Sequence, residues 1–175
     1  METMLEVPCF MATIPASIRS ASVVRAVTYT NAMSLDENSY KDLELGFQHQ
    51  MVGCNSKVFG SDKTKSGSLI VIMADKHNPT TNKKERFVNL GILGERLASC
   101  DLWKAHGGHL WDFNFHYTPL TPIICVTPTI VSFIDTFCAE NDLNASCVLN
   151  ARFCSVKVLP VFLALIEAGH FPLLS

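Results

Sequence analysis

Residues 68–74 read SLIVIMA, a run of β-favouring apolar residues with Gly67 ahead of it and charge immediately beyond. A short continuous apolar run bounded by a turn signal and by charge is the pattern of a strand buried on both faces. The next apolar stretch, FVNLGIL over 87–93, is its expected sheet neighbour. Between them lie twelve polar residues, 75–86, that contain Asn78-Pro79 and much of the local charge. They are expected to form the connection.

Working outward, 23–29 (VVRAVTY) mixes β-branched and aromatic residues and predicts another strand. Residues 35–45 are acidic and polar with scattered leucines, and predict a short surface helix. Residues 51–59 are rich in turn formers and leave room for one short strand. Gly107 and Gly108 break any helix in the stretch after Asp101. Beyond them, Trp111, Phe113, Phe115 and Tyr117 alternate with Asp112, Asn114 and His116, the period-two pattern of a strand with one aromatic face. A short strand follows at 123–127.

Thr127-Pro128 then has the form of a helix start. A threonine hydroxyl caps free N–H groups, and proline in the first turn loses nothing by lacking its own. Ile130, Ile134, Phe137 and Cys138 recur at helical spacing, and Asn141-Asp142 ends the run. A strand is expected over 147–153, and a last helix opened by Pro160 and closed by Gly169. The expected fold is α+β: one domain over 1–175 with a mixed, largely antiparallel curved sheet and helices toward the C-terminus. Residues 1–20 are expected to be loosely ordered.

Composition limits the function classes. The chain has 175 residues, 48% apolar and only 17% charged, against about 25% charged in typical domains. The net charge of −2 argues against a whole-domain basic footprint for duplex nucleic acid. Seven cysteines, odd in number and set in apolar runs, suit a reducing compartment, cytoplasmic or nuclear, better than a disulfide scaffold. No apolar stretch is long enough to span a bilayer, so no membrane association is expected. The apolar tail HFPLLS should dock on this chain or on a partner, which keeps open an interaction protein, a homo-oligomer or a complex subunit.

Two clusters carry candidate chemistry. From Lys57 to Arg86 there are seven basic residues against three acidic ones. Lys63, Lys65, Lys76 and Arg86 are the candidate contacts to a phosphate-bearing ligand, and backbone N–H groups at 66–68 could form an anion nest. Trp103, Trp111 and Tyr117 are the candidate stacking surfaces for a base. The competing readings are a solvated basic face and an aromatic core. Together these residues predict binding of a nucleotide or of single-stranded nucleic acid.

The second cluster is His106, His109, Asp112 and His116, with Asp75 and His77 as a further pair. Imidazole and carboxylate suit a divalent metal, which would activate water for hydrolysis. The spacing matches no standard zinc signature, and ordinary core or surface histidines are the competing reading. No catalytic residue is assigned, and no family motif is present.

Overall fold

The structure, a computed structural model, describes residues 24–28, 38–54, 66–98, 100–105, 111–149 and 158–174. Its strands are β1 (Val24–Thr28), β2 (Met51–Cys54), β3 (Leu69–Asn78), β4 (Lys83–Leu97), β5 (Phe113–Pro119) and β6 (Ile124–Cys125). The helices are α1 (Asn38–His49), α2 (Leu102–Ala105), α3 (Pro128–Glu140) and α4 (Leu159–Glu167), with a 3-10 turn at Ala145–Cys147. The fold is α+β, a single domain with a curved, half-barrel sheet and most of the helices after it.

The strand order is β1-β3-β4-β5-β2, with β6 pairing to β4. β1 runs parallel to β3, and every other pairing is antiparallel. The apolar run is the centre of β3, where Leu69 through Ala74 are all buried. Its unbroken hydrophobicity follows from helices on both faces. Leu69, Val71 and Met73 join the core beneath α3 and α4. Ile70, Ile72 and Ala74 join a second core with Leu43 of α1 and with Val52, Phe115 and Tyr117. Each Leu, Ile, Val, Met or Phe among them contributes roughly 1.5–3 kcal/mol by leaving water.

Three local features shape the sheet. The β4–β5 register shifts between Leu93 and Arg96, a bulge that bends the strand. Beyond β5 the chain leaves β4 and returns to it at β6, where Phe87 pairs with Cys125 and Val88 with Ile124. A buried polar clamp holds the excursion. Tyr117 Oη donates to Asn89 Oδ1 at 2.7 Å, and Asn89 Nδ2 donates to the Thr121 carbonyl at 2.7 Å.

The helix termini follow their capping residues. Thr127 Oγ1 accepts from Ile130 N at 3.3 Å, and Asn141 closes α3. Pro160 sits in the first turn of α4, and Gly169 follows the helix at φ +82, a left-handed position that glycine takes without strain. Phe171 is fully buried, its ring 6.4 Å from Phe162. The apolar C-terminal segment therefore docks largely on its own chain, with Leu174 N bonded to the Leu120 carbonyl at 2.7 Å.

Three expectations are corrected. Residues 75–86 are not a twelve-residue connection, because β3 and β4 run on through Asn78 and from Lys83 and only 79–82 turn. Asn78 makes that turn: its Oδ1 accepts from Thr80 N at 2.9 Å and Thr81 N at 3.4 Å, and Asn82 takes φ 55. Residues 147–149 are the end of the 3-10 turn and the turn that follows it, not a strand start; Asn144 Oδ1 opens the 3-10 turn by accepting from Ser146 N and Ser146 Oγ. The rest of that expected strand lies outside the described residues, as do residues 1–20. The first helix begins at Asn38 and reaches His49, and Leu43 makes it a core element.

Among the described residues no helix is long and apolar enough to cross a membrane.

Candidate functional site

The β3–β4 hairpin carries the densest set of charged side chains in the described sheet, and the strand period sorts them onto two faces. Asp75, His77, Lys84 and Arg86 lie on the face of α3 and α4. Lys76, Asn78, Lys83, Glu85 and Phe87 lie on the face of α1. The register fixes this, with Asp75 opposite Arg86, Lys76 opposite Glu85 and His77 opposite Lys84.

The first face is closed on itself. Asp75 is 6% exposed, and its carboxylate takes both arms of Arg86: Nε on Oδ1 at 2.7 Å and Nη2 on Oδ2 at 2.9 Å. Lys84 Nζ stands 3.4 Å from the same Oδ2. Arg86 Nη1 donates to the Leu149 carbonyl at 2.7 Å and so ties the hairpin to the segment after α3. Arg86 is thus a structural fastener and not a free contact for a ligand. His77 Nδ1 is buried with no hydrogen-bond partner among the described residues.

The second face is more open and chemically more varied. Tyr40, in the first turn of α1, packs its ring 4.7 Å from that of Phe87. Lys76 Nζ lies over the Tyr40 ring, 4.7 Å from its centre. Glu85 is half-buried beside them. Its Oε1 accepts from Asn78 Nδ2 at 3.3 Å, and the Cys125 thiol of β6 approaches its Oε2 at 4.0 Å. Burial, then Glu44 and then Cys125, push the Tyr40 phenol above its usual range. Burial and the Glu85 carboxylate do the same to the Cys125 thiol. Both stay protonated at neutral pH, so Cys125 is a poor nucleophile there. The corner offers one cation over an aromatic ring, one oriented carboxylate and two neutral donors.

The other sequence candidates are dispersed. Trp103 is 1% exposed and donates Nε1–H to Asn114 Oδ1 at 2.7 Å. Tyr117 is 2% exposed. Neither ring presents a face on which a base could stack. Trp111 is half-buried and packs over Gly53, where a Cβ would strike its ring. It lies past the Leu97 end of β4, whereas Arg86 lies at the hairpin end. Eleven residues of strand, roughly 35 Å of path at about 3.3 Å each, separate those two ends.

The candidate metal ligands are also divided along the strands. Asp75 and His77 are at the hairpin end, while Asp112 and His116 are exposed toward the other. Asn114, between the last two, is buried and holds Trp103 and the Trp111 carbonyl. Among the described residues no three His, Cys, Asp or Glu side chains gather into a cation site. Lys63, Lys65, His106 and His109 lie outside the described residues. The expected anion nest at 66–68 loses its middle donor, because Gly67 N–H is given to the Leu93 carbonyl at 2.7 Å.

Tyr40, Glu85, Phe87 and Cys125 were not among the sequence candidates. The strand period alone places Glu85 and Phe87 on one face; only the hairpin register, with Lys76 opposite Glu85, brings Lys76 to them. Nothing local brings Tyr40 or Cys125 to them. No protein-family model, curated protein or solved structure matches the chain.

Proposed function

We propose that the domain binds a nucleotide at the hairpin corner formed by Tyr40, Lys76, Glu85 and Phe87. The observation that carries this reading is the Lys76 ammonium 4.7 Å over the Tyr40 ring. It joins a charge for phosphate and a π-surface for a base in one place. A base arriving on Tyr40 displaces the lysine. That exchange is favourable, because an exposed cation–π contact is worth about 0.5–1 kcal/mol and a base–aromatic stack about 1–3 kcal/mol. The freed ammonium then meets the phosphates, joined by Lys83, which is exposed on the same face. Two lysines on one face of a chain with net charge −2 suit a free nucleotide better than a long polyanion.

The test is titration with a fluorescent purine nucleoside triphosphate at two salt concentrations. Binding should weaken with salt, and Lys76→Ala and Tyr40→Leu should each weaken it roughly 5- to 150-fold, the factor that about 1–3 kcal/mol corresponds to. Absent binding, or binding unchanged in both variants, overturns the assignment.

A further inference from the structure

The hairpin corner holds one group that stacking and charge do not use, the Glu85 carboxylate. An ionised carboxylate only accepts, with about four lone-pair positions on its two oxygens. In this structure one oxygen takes Asn78 Nδ2 and the other faces the Cys125 thiol. These contacts take one position on each oxygen. They come from the elements flanking β4, the end of β3 and β6, and hold the carboxylate on the strand face that Phe87 also occupies. The same group stands directly across the strand pair from Lys76.

We propose that Glu85 reads the edge of the stacked base and selects guanine; the inference rests on the nucleotide reading of the same corner. Donor count sets the preference. Guanine presents two adjacent donors, its ring N1–H and its exocyclic amino group, which match two carboxylate oxygens in parallel. Adenine and cytosine each present one amino group beside a ring nitrogen that is an acceptor. That lone pair would face the second carboxylate oxygen and be repelled. Uracil and thymine present one N–H between two carbonyls, which is worse.

The experiment compares fluorescent GTP and ATP on the full chain, with Glu85→Gln as the variant. A bidentate pair discriminates between bases by a factor of roughly 5 to 150. GTP should bind more tightly than ATP by such a factor, and Glu85→Gln should remove or invert the preference, because an amide offers one donor and one acceptor, the pair that adenine matches. Inosine triphosphate, which lacks the amino group, should fall between the two. Equal affinity for GTP and ATP, or a GTP preference that survives in Glu85→Gln, overturns the role of Glu85 and leaves the nucleotide site standing. No binding of either nucleotide removes both. Thermal unfolding of Glu85→Gln separates lost selectivity from lost folding: a Tm near that of the wild type makes the affinities comparable. Should that variant unfold, Glu85→Asp takes its place, since the shortened carboxylate should lower the GTP preference, and an unchanged preference there would equally overturn the role.

Discussion

Replacing Arg86 with leucine should destabilise the fold out of proportion to the one charge removed. Asp75 is 6% exposed and meets Arg86 through two short hydrogen bonds. Breaking a buried ion pair from one side costs about 3–5 kcal/mol, because the remaining charge stays buried. Here the lower end applies, about 3 kcal/mol. Arg86 is 28% exposed, which lets solvent screen the pair, and Lys84 remains 3.4 Å from Asp75. The Leu149 carbonyl also loses its 2.7 Å donor. For a domain of this size each kcal/mol moves Tm by about 2–4 °C, so Arg86→Leu should lower Tm by roughly 6–12 °C. The assay is thermal or urea unfolding of the wild type, Arg86→Leu, Asp75→Leu and the double variant. The double variant should recover much of the loss, since a buried pair replaced by apolar side chains is often close to neutral. A Tm within about 2 °C of wild type for Arg86→Leu, or strictly additive losses in the double variant, would refute the reasoning.

Two further substitutions test the packing around β5. Burial raises the Tyr117 phenol pKa well above its unfolded value of about 10. The neutral form is therefore favoured in the folded state, and the associated stability is whole below pH 10 and declines as pH climbs beyond it. Tyr117→Phe should cost about 1–3 kcal/mol at neutral pH, by leaving buried Asn89 Oδ1 without its donor, yet show a shallower alkaline decline in urea unfolding. Parallel declines in the two proteins would contradict this. Gly91→Ala would put a Cβ 2.5 Å from the Tyr117 ring and 2.9 Å from the Thr118 carbonyl oxygen, and should cost about 1–3 kcal/mol by equilibrium unfolding. A neutral result would mean that β4 and β5 are not in the close contact described.

The fold was more legible in the sequence than the site, and particular residues show why. The apolar run at 69–74 and the Thr127-Pro128 start are local signals, set by periodicity and capping chemistry, and both mark elements of the structure. The charged ends of β3 and β4 were opaque because polarity resembles a loop when only one strand is read. Their pairing, Asp75 with Arg86 and Lys76 opposite Glu85, is a relation between strands. The aromatic strand of 111–117 had the right period, but its period could not say that Tyr117 and Phe115 face a core built partly by α1. The corner itself depends on Tyr40, Phe87 and Cys125 arriving from three elements, so no spacing in the chain announces it.

Backbone amide NMR of the full chain titrated with GTP would locate any bound nucleotide on the structure. The account predicts shifts concentrated at 40, 76, 83–87 and 125, with little change at 103, 111 and 117. Shifts centred on 103–117, or none at saturating nucleotide, would contradict the assignment of the site to the β3–β4 hairpin.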